Sequence, residues 1–198
     1  METLESFADA RLVANCVHCG GATETRDHCP SRVLLDEPHP ESLPYLPACA
    51  SCNSGFSLDE EYFACLVECA RTGSVEAVKR PKIRRIFEHS PALAARLIQA
   101  RSVTDSGGIS FALEQNRVSN VVLKLARGHA AHELSEPQYG KPARIMITPL
   151  HLLKPSARDH FETPPATSGW PEVGSRAMQR MSDAFGASGI TPWIDVQP

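Results

Sequence analysis

Two short cysteine pairs decide the fold of this chain: residues 16–21 read Cys-Val-His-Cys-Gly-Gly, and residues 49–53 read Cys-Ala-Ser-Cys-Asn. A CxxC turn directs two thiolates toward one point, and the glycine after the second cysteine permits a tight turn. Two such turns supply four sulfur ligands for a tetrahedral zinc ion, each about 2.3 Å from the metal. We therefore predict a structural zinc site formed by Cys16, Cys19, Cys49 and Cys52.

The 29 residues between Cys19 and Cys49 exceed the usual spacing of a zinc ribbon, so a hairpin or loop is expected between the two pairs. A thioredoxin-like dithiol is the alternative interpretation of one CxxC pair. The sequence lacks the βαβ setting of such proteins, and this interpretation leaves the other cysteine pair unexplained. A zinc site with four protein ligands has no open position for water, so we expect any catalytic residues to lie elsewhere.

The composition describes a globular chain without a membrane segment. Hydrophobic residues make up 42% of the 198 residues, and no apolar run approaches the roughly twenty residues of a membrane-spanning helix. The first residues carry Glu2, Glu5 and Asp9 and lack the features of a secretory signal, which favours a cytoplasmic location. Disulfides are disfavoured in the cytoplasm, so metal binding explains the cysteine pairs better.

Charge is divided unevenly along the chain, although the net charge is only −3. Residues 1–70 contain 3 basic and 12 acidic side chains, whereas residues 71–101 contain 8 basic and 2 acidic ones. An acidic region that binds divalent cations, followed by a basic segment that contacts phosphates, suits phosphodiester chemistry. A solvated helix face is an equally good interpretation of the basic segment. The candidate nucleic-acid contacts are Arg26, Arg32, Lys79, Arg80, Lys82, Arg84 and Arg85.

Hydrophobic periodicity predicts several helices and few strands. Helices are expected over residues 54–71, 79–88, 91–101 and 117–134, and a weak strand over 109–114. Residues 143–147 read as a buried strand. Further along, a helix is expected over 175–185 and a strand over 193–196.

A third sequence feature lies between the cysteine pairs, where residues 25–30 read Thr-Arg-Asp-His-Cys-Pro. The order CxxCG, Asp-His-x-Pro and CxxCN resembles the HNH endonucleases that carry zinc knuckles, and more narrowly their bacterial branch. The match runs from Cys16 to Phe63, about a quarter of the chain, and is closest over residues 46–49 and 53–63. Each piece is common by itself, but their order and spacing together are specific.

The resemblance implies a ββα-metal module, a β-hairpin followed by a helix around one catalytic divalent cation, with DNA as substrate and RNA not excluded. By that pattern His28 is the general base, Asp27 and Asn53 bind the cation, and Glu60 is a further candidate ligand. The chemistry agrees with these roles. A histidine with a pKa of about 6.5 is mostly neutral at cellular pH and accepts a proton from water. Oxygen ligands suit Mg²⁺ or Mn²⁺.

The predicted fold class is therefore α+β: a small zinc-stapled HNH module over residues 1–74, followed by a mostly helical region with a few short strands over residues 75–198. The second region can also pack with the first as one domain, and it gains no function from the resemblance. A protein partner or a homodimer is left open.

Two geometric points accompany these roles. Adjacent residues of a regular strand face opposite sides, so we expect the strand to end or bulge at Asp27 and His28, shortly before Pro30. Glu60 and Glu61 share a helix face with Asn53, and solvation is the favoured state for both.

The chain departs from the HNH pattern at one position. Many members carry a middle asparagine five residues before the third cysteine, where this chain has Pro44. Ser42, Tyr45 or backbone contacts are the available substitutes. The alternative to an endonuclease is a catalytically weak or inactive zinc-knuckle module that binds nucleic acid or protein.

Overall fold

A computed structural model describes residues 13–41, 43–149 and 152–162 of the chain. The fold mixes helices with short antiparallel strands. In chain order the elements are β1 (Thr25–His28), a 3-10 turn (Arg32–Leu34), β2 (Tyr45–Ala48), α1 (Ala50–Thr72), α2 (Pro81–His89), α3 (Pro91–Ala100), β3 (Arg101–Val103), β4 (Ile109–Phe111), α4 (Gln115–Leu134) and α5 (Pro155–Glu162).

Strands β1 and β2 form the hairpin predicted between the cysteine pairs. They pair antiparallel in a register that joins Thr25 to Ala48 and His28 to Tyr45. The register is regular throughout, so alternate side chains face opposite sides of the hairpin. Asp27 is buried, whereas Arg26 is exposed and His28 is half-buried.

Helix α1 begins at Ala50, four residues before the predicted start at residue 54. The free N–H groups of its first turn explain the difference, because side chains of the module accept from two of them. Sγ of Cys49 accepts from the backbone N–H of Cys52, and a carboxylate oxygen of Glu24 accepts from that of Ala50. The helix ends at Gly73, which adopts the left-handed conformation that glycine favours at this position.

Helices α2, α3 and α4 lie close to their predicted ranges, and Pro91 occupies the first turn of α3 as expected. The weak strand at 109–114 is observed as β4, which pairs with the unpredicted strand β3. The strand predicted over 143–147 is wrong: those residues form no strand and are mostly exposed. Helix α5 was not predicted. The helix expected over 175–185 and the strand over 193–196 lie outside the described residues.

Helix α4 packs against both α1 and the hairpin. A small core of Val17, Cys29, Leu46 and Ala131 joins the first cysteine pair, the hairpin and α4. Gly128 permits this close packing, because a Cβ atom at that position would lie 2.6 Å from Sγ of Cys29. The described residues up to Ile145 belong to one compact unit. None of the helices in the described ranges combines the length and apolarity that a bilayer crossing requires.

Candidate metal centre and active site

The four predicted cysteines converge. Their sulfur atoms all lie within 4.8 Å of one another, and the sulfurs of Cys19 and Cys49 are 3.8 Å apart. Four sulfurs about 2.3 Å from one central ion are separated by about 3.8 Å at the tetrahedral angle. The cluster therefore has the dimensions of a four-thiolate metal site. In the part of the chain that the structure describes, no other group of cysteine, histidine and carboxylate side chains is arranged for a metal ion.

Backbone N–H groups contact the sulfurs of the cluster, but the four thiols differ in pKa: the N–H of Gly21 acts to lower the pKa of Cys19, yet the side chains of Cys16 and Cys49 raise it overall, and burial raises the pKa of Cys52. The N–H of Gly21 donates to Sγ of Cys19, and the N–H of Gly20 donates to the carbonyl of Cys16, which closes the first turn. Gly20 has a φ of +77°, which other residues rarely adopt. Burial acts to raise the pKa of the Cys16 thiol, but the backbone N–H groups of Cys49 and His18 outweigh it and lower this pKa to about 7.

Asp27 lies on the inner face of the hairpin, only 5% exposed, and both of its carboxylate oxygens have protein partners. Oδ2 accepts from Nε2 of His18 at 2.9 Å, and Oδ1 accepts from Nζ of Lys124 at 2.8 Å. Burial acts to raise the pKa of Asp27, but these two hydrogen bonds outweigh it and place the pKa below its usual value. Nε2 of His18 donates this hydrogen bond, since a carboxylate oxygen accepts, and Nδ1 of His18 is buried without a hydrogen-bond partner.

Lys124 of α4 is the centre of a buried polar cluster that sequence analysis missed. Its ammonium group is 3% exposed and donates to Asp27, to Oγ of Ser31 at 2.8 Å, and to Oε1 of Glu60. The hydroxyl of Ser31 also donates to Glu60. The ring of Phe56 lies 5.4 Å from the same nitrogen. The expectation that Glu60 is solvated is therefore wrong, since its carboxylate is buried within this cluster.

A signal for Lys124 was present in the sequence. The buried residues of α4 are Val118, Val121, Lys124, Gly128 and Ala131, which follow one another at intervals of three or four residues. A lysine on an otherwise apolar helix face requires a buried partner of opposite charge. The partners themselves could not be chosen from the sequence, because they lie 64 and 97 residues earlier in the chain.

His28 faces away from this cluster. It ends β1 as expected, but the pairing is regular through both residues, so Asp27 and His28 lie on opposite sides of the hairpin. Arg26 shares the outer face with His28, and its guanidinium stacks 4.7 Å above the ring of Tyr45. Burial, and then the positive charge of Arg32, lowers the pKa of His28 below 6.5. The imidazole is therefore neutral at neutral pH.

Asn53 lies in the first turn of α1, against β1. Its amide nitrogen donates to Oγ1 of Thr25 at 3.1 Å and to the carbonyl of Arg26 at 3.3 Å. Thr25 and Asp27 share the inner face of the strand, so the structure places Asn53 on the side of Asp27 and leaves His28 on the other. At Pro44, where the HNH pattern has its middle asparagine, the backbone carbonyl accepts from the N–H of Cys29 at 3.0 Å.

The predicted nucleic-acid contacts fall into two groups. Arg80 and Lys82 bind the loop after β1, Arg80 through Asp36 and the carbonyl of Leu35, and Lys82 through the carbonyl of Arg32. They therefore hold the loop against α2. The remaining candidates are exposed: Arg26, Arg32, Lys79, Arg84 and Arg85.

An open groove of about 520 Å³ runs between α1 and α2. Glu60 and Glu61 line one side, and Lys82, Arg85 and His89 line the other. The groove thus connects the exposed basic face of α2 with the edge of the buried cluster.

Family models, curated proteins and solved structures were compared with the chain, and none of them matches. The interpretation of the site therefore depends on the residues and the geometry described above.

Proposed function

We propose that the chain is an HNH-type endonuclease that hydrolyses phosphodiester bonds in nucleic acid, with DNA as the expected substrate. The observation that carries the proposal is the placement of His28: a neutral, partly exposed imidazole at the end of a hairpin that the four-cysteine cluster ties to the following helix. This placement is what a general base for an exposed phosphate requires.

Zinc is the proposed occupant of the cysteine cluster. Four thiolates at tetrahedral spacing select zinc over the oxygen-preferring cations, and a closed site of this kind stabilises the fold without activating water. The ion would hold the start of α1 against the loop that precedes β1. That arrangement fixes the hairpin on which His28 lies.

In the proposed reaction a water molecule transfers a proton to the His28 imidazole. Its oxygen forms a bond to phosphorus, and the bond from phosphorus to the 3′ oxygen breaks. The 3′ oxygen keeps the electron pair and takes a proton from solvent, which leaves a 5′-phosphate and a 3′-hydroxyl. Negative charge builds on the phosphate oxygens during this step, and nearby fixed positive charge stabilises it. Arg26 lies on the same face of β1, and Arg32 is near enough for its charge to act on His28, so both are candidates for this role.

The catalytic Mg²⁺ or Mn²⁺ implied by the HNH resemblance does not fit the inner face as it is arranged. Both oxygens of Asp27 accept hydrogen bonds from protein groups, and Lys124 already lies between Asp27 and Glu60. A hydrated Mg²⁺ needs six oxygen ligands in octahedral geometry at about 2.0–2.1 Å. We therefore assign no step of the reaction to a cation at Asp27.

A plasmid-nicking assay tests the proposal. Supercoiled DNA is incubated with the zinc-loaded protein without added divalent cation, with Mg²⁺ and with Mn²⁺, and the wild type is compared with His28→Ala. The loss of a general base should lower the rate by about 10² to 10⁴. Zinc content and melting temperature should stay nearly unchanged, since the side chain is partly exposed and is not a zinc ligand. His129→Ala, at an exposed histidine of α4, is the matched control and should cleave like the wild type.

Equal cleavage by the wild type and His28→Ala would contradict the proposal and indicate a contaminating nuclease. Absence of cleavage under all three conditions would favour the second candidate function, a non-catalytic zinc-knuckle module. The specific observation in its favour is Lys124, which holds the carboxylates that an active HNH site would offer to a metal ion. Such a module would shift DNA in a gel without cutting it.

A further inference from the structure

The three hydrogen bonds of the Lys124 ammonium use every N–H that the group carries. An ammonium group has three donors, and here they meet Asp27, Ser31 and Glu60. The aromatic face of Phe56 adds a fourth favourable contact with the positive charge. The nitrogen is thus surrounded by oxygen acceptors in the manner of a bound cation.

The charges of the cluster support the same view. Asp27 and Glu60 contribute two buried negative charges, and two carboxylates without a counter-ion are strongly disfavoured in a buried site. Lys124 supplies a positive charge that is covalently fixed to α4. A divalent cation added beside it would meet an ammonium group at hydrogen-bond distance from the same oxygen atoms, and the two positive charges would repel each other.

We propose that the ammonium of Lys124 occupies the position of a divalent cation between Asp27 and Glu60, so that the wild-type protein binds no Mg²⁺ or Mn²⁺ at these carboxylates. The inference concerns the site of the proposed nuclease and deepens that proposal. The test of this inference measures cation binding, however, so a protein that fails to cleave DNA would not contradict the inference. Helix α4 thereby supplies a permanent internal counter-ion to the hairpin.

The test uses Mn²⁺ as the probe, measured by titration calorimetry and by the loss of the free-ion electron paramagnetic resonance signal. The cysteine cluster is first loaded with one equivalent of zinc, which Mn²⁺ does not displace from thiolates. Wild type and Asp27→Asn are compared first. We expect the two proteins to bind Mn²⁺ equally weakly. Tighter binding by the wild type that Asp27→Asn abolishes would overturn the inference.

Lys124→Met then removes the ammonium and keeps the length of the apolar stem that carries it. This variant should bind one Mn²⁺ at least ten times more tightly than the wild type. Adding Asp27→Asn to it should abolish that site. Mn²⁺ should also raise the melting temperature of Lys124→Met, while an equal ionic strength of NaCl should not. Lys141→Met, at an exposed lysine, is the matched control and should behave as the wild type.

A folded Lys124→Met variant that gains no Mn²⁺ site would overturn the assignment of a cation position to the ammonium. If the variant fails to fold even with Mn²⁺, the comparison of wild type with Asp27→Asn decides the question alone, because neither protein depends on the lysine substitution.

Discussion

Gly128 offers the sharpest test of how α4 packs against the hairpin. A Cβ atom at this position would lie 2.6 Å from Sγ of Cys29 and 3.1 Å from Cδ1 of Leu46. Non-bonded heavy atoms have their best separation at about 3.5–4.0 Å, so Gly128→Ala forces the helix and the hairpin about 1 Å apart. Both neighbours belong to the core around β2, which has little space to rearrange.

The sign of the effect depends on two opposing magnitudes. Alanine is favoured over glycine in a helix interior by about 1 kcal/mol, whereas overpacking a buried site costs about 1–3 kcal/mol. We expect Gly128→Ala to lower the free energy of unfolding by about 1 kcal/mol, or about 2–4 °C in melting temperature for a chain of this size. Both quantities can be measured by urea and thermal unfolding, followed by circular dichroism at a fixed excess of zinc.

Gly55 is the matched control, because it also lies inside a helix but has no neighbour within 4 Å of an added Cβ. Gly55→Ala should raise stability by up to about 1 kcal/mol, the opposite sign. Cys29→Ala removes the sulfur that Gly128→Ala meets, so the double variant should be more stable than the sum of the single effects predicts. If both glycine substitutions stabilise the protein equally, the close packing of α4 on the hairpin is refuted.

Three further predictions concern the metal, the α1–α4 contact and the basic helix. Purified protein should contain one zinc ion per chain, as measured by elemental mass spectrometry. Cys49→Ala should lose this ion and most of the thermal stability, and full retention of the metal by this variant would contradict the four-sulfur site. Arg117→Met removes an ion pair with Asp59 at 2.6 Å and should lower the free energy of unfolding, measured with urea, by about 1 kcal/mol. Breaking the exposed pair of Arg158 and Glu162 in α5 should change this free energy little. The double variant Arg84→Gln/Arg85→Gln should bind DNA more weakly, as measured by fluorescence anisotropy. The slope of log K against the logarithm of the salt concentration should fall by the amount that corresponds to about two phosphate contacts; an unchanged slope would show that α2 does not contact phosphates.

The cysteine cluster and the hairpin could be predicted because local spacing determines them. A CxxC turn needs only four residues, and the glycines after Cys19 identify its geometry from the sequence. The apolar repeat predicts the start of α1 four residues too late. The first N–H groups of the helix donate to Cys49 and Glu24, and neither residue belongs to that repeat. Local pattern therefore predicts the body of a helix better than its ends.

The surroundings of Asp27 could not be predicted in the same way. The sequence suggests that Asp27 is a cation ligand and that Glu60 is solvated, but Lys124, 97 residues after Asp27 and 64 after Glu60, binds both carboxylates. Only the packing of α4 on the hairpin brings these groups together, and that packing depends on Gly128, whose role is visible only in three dimensions. The assignment of His28 as the general base stays a prediction.

The uneven charge of the chain takes on another meaning in the fold. Twelve acidic residues precede position 71, and the sequence suggested that they bind divalent cations. In the structure several of them meet basic side chains from later in the chain instead: Asp36 meets Arg80, Asp59 meets Arg117, and Asp27 and Glu60 meet Lys124. The pairs of Asp59, Asp27 and Glu60 are partly or fully buried, so removal of one partner leaves an uncompensated charge, which is costly. Asp36 is 84% exposed, and its pair contributes little to stability. The acidic first segment therefore depends on Arg117 and Lys124 of α4 for its stability, so this helix is part of the structural unit that holds the hairpin and His28.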